Sequence, residues 1–162
     1  MPSRSMNLKV LGTYLIILLT FIACNPAADS PETAKTYLLA TPDWGIEEVY
    51  VNDALSYKDG KKVDNFGGIA FNRYMESVQF KEDGDFVGRY PDAQDATVLH
   101  WAIDPATQTI LVTAADTTQD KRSGWTIAPR NVHEDSFEMT TETTAFDYPR
   151  MTKIMLKFTK KD

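Results

Sequence analysis

The chain has 162 residues, 43% of them hydrophobic, and its 17 basic and 23 acidic side chains leave a net charge of −6. An anionic surface repels phosphate backbones and anionic headgroups, which argues against nucleic-acid binding and against adhesion to a membrane by charge. The single cysteine, Cys24, has no intrachain disulfide partner.

The first 24 residues read MPSRSMNLKVLGTYLIILLTFIAC, with Arg4 and Lys9 as the only charges and an apolar run from Val10 to Ala23. That run is shorter than the roughly 20 residues of a spanning helix and has the layout of a signal-peptide h-region behind a basic start. It ends on Phe21-Ile22-Ala23-Cys24, which resembles the lipobox of bacterial lipoproteins: a large apolar residue, then a small one, then the cysteine whose thiol takes a diacylglycerol. Phe21 stands where that motif usually has Leu. The resemblance implies a signal peptide over 1–23, cleavage in front of Cys24, and attachment to a membrane through acyl chains on its sulfur. Asn25 follows where some inner-membrane lipoproteins carry Asp, so the same resemblance favours the outer membrane. Without residues 1–23 the net charge becomes −8, and attachment then depends on the acyl chains, two or three of which give stable anchoring.

The next segment, NPAADSPETAK, has no large apolar side chain. It reads as a lipidated flexible tether over residues 24–35, leaving one domain over 36–162.

Within that domain, apolar residues alternate with polar ones in short runs separated by turn signals, the pattern of an all-β antiparallel protein. GIEEVYVN forms the first strand, a short segment over residues 54–57 the second, and Asp59-Gly60 supplies a tight turn. YMESVQFKEDGDFVGRY is the clearest hairpin, with its turn over Lys81 to Asp85. VLHWAID and TILVTA follow, broken at Asp104-Pro105; then come GWTIAPR, SFEMTTET and a last strand, MTKIMLKF. This makes about eight or nine strands and no helix of appreciable length. Closing such a meander removes its unpaired edges, so a small up-and-down β-barrel is expected, with a two-sheet sandwich as the competing arrangement.

The order of these features resembles the lipocalin-like domains of Gram-negative lipoproteins: a lipobox, a polar tether, an early Trp44, a V-Y-V-N strand, an F-K-E-D-G-D-F hairpin, then W-A-I-D, W-T-I and I-M-L-K-F. The resemblance implies an eight-stranded, lipocalin-like barrel. It departs from the lipocalins proper at Trp44-Gly45, which reverses their G-x-W order, so a lipocalin ligand does not carry over with the barrel.

Phosphate-binding glycine motifs, H-E-x-x-H, G-x-S-x-G and C-x-x-C are absent from the sequence. His100 and His133, the only imidazoles, fall on a strand and beside an acidic turn, so no shared site is expected. Glu82-Asp83-Gly84-Asp85 could be mistaken for a calcium loop, but the bidentate Glu such a loop needs is replaced by Tyr90, and a hairpin turn fits better. No catalytic residue, metal site or cofactor is expected, and an envelope hydrolase is the weakest reading. The aromatic surplus either fills the core or lines a pocket; Phe86, Tyr90, Trp101 and Trp125 are the candidate pocket for a small hydrophobic ligand. The alternative is a structural or protein-interaction lipoprotein with a filled barrel, presenting loops 64–73 and 115–123 to a partner.

Overall fold

The computed structural model describes residues 25–63, 74–114, 124–142 and 153–161. Among the described residues ten strands follow one helix: α1 (Pro31–Ala40), β1 (Trp44–Val51), β2 (Ala54–Lys58), β3 (Lys61–Lys62), β4 (Ser77–Phe80), β5 (Asp85–Arg89), β6 (Thr97–Asp104), β7 (Thr109–Thr113), β8 (Trp125–Ile127), β9 (Ser136–Glu142) and β10 (Lys153–Lys160). From β4 to β10 each strand pairs antiparallel with the next. β10 then returns to β1 in a ladder from Trp44↔Lys160 to Val51↔Ile154. The start of β1 meets β4 through Trp44↔Val78 and Gly45↔Ser77, which closes an eight-stranded barrel. The expected antiparallel barrel is therefore the fold, and the sandwich is not.

Strands β2 and β3 are additional to the ring. After Gly45 the edge of β1 passes from β4 to β2, whose ladder runs from Val51↔Ala54 to Glu48↔Lys58. A bulge at Glu47, between Ile46 and Glu48 in the β1–β10 register, lies where this handover occurs. An extra residue on one strand bends it and increases its twist, which allows one strand edge to serve two neighbours. The β1–β2 turn holds Asn52 and Asp53 at φ 50° and 64°, and the β2–β3 turn holds Asp59 and Gly60 at 49° and 78°. These are the positive values that two-residue hairpins demand and that Asn, Asp and Gly tolerate.

The ladders assign the inward face. Phe137 opposes Phe158, Met139 opposes Leu156, and Thr141 opposes Ile154; on the other side of β10, Leu156 opposes Val49 and Ile154 opposes Val51. Across the barrel Phe86 opposes Leu99, Trp101 opposes Val112, and Val112 opposes Trp125. Phe137 sits at the centre of an aromatic cluster. It stacks on Phe158 at 5.0 Å and meets Trp44 and Phe80 edge-on at 5.1 and 5.5 Å. Phe80 in turn meets Phe86 at 5.0 Å and Trp101 at 5.6 Å. Such ring pairs contribute roughly 0.5–1.5 kcal/mol each beyond the area they bury, and together they tie β1, β4, β5, β6, β9 and β10 into one core.

The N-terminal part of the domain departs from expectation. Part of the flexible tether predicted over 24–35 is instead, from Ala28 onward, a docked segment running into a helix, and the domain begins before Thr36. Ser30 caps α1 by accepting the Thr33 amide at 3.2 Å, Pro31 occupies the first turn and Glu32 adds an acidic side chain there. Each of these favours a helix start. Ala34 and Leu38 are wholly buried, and the Trp44 indole N–H donates to the Leu38 carbonyl at 3.2 Å. The segment lacks large apolar residues until Tyr37, so its composition reads as linker, yet it docks through buried Ala28, Pro31 and Ala34, with Leu38 beside Trp44.

Candidate functional site

The described residues mark out two ends of the barrel. At one lie the β4–β5 turn around Gly84, the β6–β7 turn over residues 105–108, the segment joining β8 to β9, the C-terminal end of β10, and α1. Here the chain is dovetailed: the Trp101 indole donates to the Lys81 carbonyl at 3.0 Å, and Lys35 of α1 lies over the Trp101 ring, 5.8 Å from its centre. This is the closed end. At the other, the loop end, are the β1–β2 turn, the β5–β6 connection over residues 90–96, and the strand termini from which residues 64–73, 115–123 and 143–152 depart. Cys24 and the two candidate partner loops, 64–73 and 115–123, lie outside the described residues.

The four candidate pocket residues separate into two pairs. Phe86 is fully buried and Trp101 is 6% exposed, both in contact with Phe80 inside the aromatic cluster. Tyr90 and Trp125 are only partly buried and pack against the rim of the core. Tyr90 follows the last residue of β5, and its burial pushes the phenol pKa up. Both stand toward the loop end of their strands. Inward-facing residues on the same half, Val51, Val112, Met139 and Leu156, have no exposed surface. Among them the polar Thr141 donates to the Gly124 carbonyl at 2.8 Å. Phe80, Phe137 and Phe158, central to the interior, are the residues that sequence reasoning passed over when naming a pocket; their alternation was visible, but their mutual contact comes from closure of the ring.

A cleft of about 260 Å³ on the outer wall at the closed end is lined by Arg130, Asn131, His133, Ser136, Phe137, Glu138 and Lys157. A short 3-10 turn, Pro129–Asn131, folds against β9 to make it, so no sequence spacing announces it. His133 is engaged there: its Nδ1 donates to the Asn25 carbonyl at 3.0 Å. His100 lies instead beside the β4–β5 turn, with Nδ1 3.2 Å from the Gly84 carbonyl and 3.7 Å from the Asp85 carboxylate. The two imidazoles thus have separate partners. Glu82 to Asp85 belongs to a hairpin turn, closed by the Lys81 amide on the Asp85 carbonyl at 2.9 Å, with Gly84 at φ 91°.

The outer face of β1 carries a group of paired charges. Glu48, 7% exposed, is 2.7 Å from Lys58 and accepts the Tyr50 hydroxyl at 2.9 Å. Glu47 pairs with Lys157 at 2.9 Å. The hydrogen bond from Lys58 holds the Glu48 carboxyl below its ordinary pKa and raises that of the Lys58 ammonium. Acid and base are matched within this cluster, as expected of groups that hold β1, β2 and β10 together.

Fold and site define the class as far as a closed, eight-stranded antiparallel barrel with a helix packed at one end. No protein-family model matches the chain, and no curated protein or solved structure matches it. No helix among the described residues is long and apolar enough to cross a membrane.

Proposed function

We propose that this chain is a lipid-anchored lipoprotein of the Gram-negative cell envelope, held through acyl chains on Cys24 at the outer membrane, with a lipocalin-like barrel that serves as a filled scaffold. Two lines of support meet. The lipobox and the h-region before it supply the anchor, and the barrel supplies a compact domain behind it. Burial carries the second half of the reading: residues facing inward near the loop end, Val51, Val112, Met139 and Leu156, are as inaccessible as those of the aromatic cluster at the closed end. An eight-stranded ring encloses a space that side chains can fill, and the burial of these residues supports that reading. Phe86 and Trp101 are occupied with packing, and on this reading a protein partner of the envelope would bind at the loop end.

Binding of a small hydrophobic ligand is the second reading. It is favoured by the incomplete burial of Tyr90 and Trp125, and it would confine the ligand to the loop end. Crosslinking and pull-down from solubilised envelope distinguish the readings when combined with displacement of a fluorescent fatty acid. A specific protein partner whose recovery is lost on altering loop-end residues, with no displacement, supports the scaffold. Saturable fatty-acid binding abolished by Trp125→Ala would replace it with the ligand reading.

A further inference from the structure

We infer that the closed end of the barrel is the membrane-facing end, so that the domain stands directly on the lipid headgroups with its loop end directed into the aqueous compartment. This inference rests on the lipid anchor proposed above and gives it a geometry. Asn25, the residue joined to Cys24, is fixed at the closed end by contacts to the segment between β8 and β9. Its carbonyl accepts from His133 at 3.0 Å and its side-chain amide donates to the Asp135 carboxylate. Three residues on, the Ala28 amide donates to the Val132 carbonyl at 2.7 Å, and Ala28 is 4% exposed. Asp29 accepts the Thr33 hydroxyl at 2.8 Å, and α1 starts at Pro31.

Consecutive Cα atoms lie about 3.8 Å apart across a trans peptide, so one peptide link is all that separates an acylated Cys24 from Asn25, which is held by His133 and Asp135. A free tether of eleven residues would instead reach roughly 17–20 Å and permit any orientation. Surface charge does not supply the orientation. The exposed Lys35, Lys81, Arg130, Lys160 and Lys161 at this end are interspersed with the exposed Glu32, Glu82, Asp83, Glu134 and Asp135, which leaves no basic face for anionic headgroups among the described residues. The short attachment is what orients the domain.

The test uses the full-length chain, expressed with its own leader, purified in its acylated form and placed in phosphatidylcholine vesicles containing a nickel-chelating headgroup lipid. With the Cys24 sulfur occupied by lipid, a cysteine introduced by Glu82→Cys at the closed end or Ala93→Cys at the loop end takes a fluorophore selectively. Nickel at the headgroups is expected to quench the closed-end label several-fold more strongly than the loop-end label. Fifteen Gly/Ser residues inserted between Cys24 and Asn25, with a reach of about 21 Å, should abolish most of that difference. Equal or reversed quenching on acylated, vesicle-bound protein would overturn the orientation while leaving the anchor intact. A difference that survives the insertion would overturn the short attachment as its cause. A chain whose mass shows no acyl groups and which does not join the vesicles would overturn the anchor, and the orientation with it.

Discussion

Phe137 is the residue on which the interior converges, because Trp44, Phe80 and Phe158 all touch its ring. Phe137→Ala is expected to lower stability by about 3–5 kcal/mol in urea unfolding, the usual cost of deleting a buried aromatic and leaving a cavity. A much smaller loss would mean that the cluster can collapse into the vacated space. On the outer face, Glu48 makes a different contribution. Lys58 lowers its folded pKa, so the stabilisation is present while the carboxylate is ionised in both states, above the ordinary carboxylate range. It is lost as the pH falls through the lowered value. Glu48→Gln should therefore lower Tm at neutral pH and have progressively less effect in acid, and a difference that stayed constant across that range would contradict the ion-pair origin. The aromatic residues of the core could be picked out singly from alternation, but which ones meet depends on strands far apart in sequence. Pocket and core therefore looked alike until Phe86 and Trp101 were seen against Phe80.

Elements bounded by strong local chemistry were legible in the sequence. Asp59-Gly60 and Lys81 to Asp85 form the turns expected of them, because positive φ at Gly60 and Gly84 is a local demand that glycine meets. The strands lie close to where the alternation placed them. α1 was missed although Ser30-Pro31-Glu32 carries a cap, a first-turn proline and an acidic residue in succession. Composition overrode those signals: a segment so poor in large apolar residues gives no amphipathic period, and its stability comes from docking against Trp44 rather than from propensity. Removing the cap by Ser30→Ala should cost about 1 kcal/mol, read by the same urea titration. No loss would mean that α1 is held by its docked face alone. The partition of the β1 edge between β4 and β2 was not readable either, since a bulge at Glu47 has no composition of its own.

For the whole molecule, closure of the ring and placement of both ends of the described chain, Asn25 and Lys161, at one end of it are what would give the proposed anchor a consequence. Residues 25–40 fasten to the closed end, and β10 finishes there, with the Lys161 amide donating to the Asp43 carbonyl at 3.2 Å. On the proposed anchoring, the opposite end is the one that would face away from the membrane. The most direct measurement is the mass of the protein extracted from envelopes in mild detergent and sprayed under native conditions. The expected species begins at Cys24, carries covalent acyl chains and retains no noncovalent small molecule in its barrel. A species that still begins at Met1, or that has an unmodified Cys24, would contradict the lipid-anchored scaffold, and a stoichiometric hydrophobic adduct would contradict the filled interior.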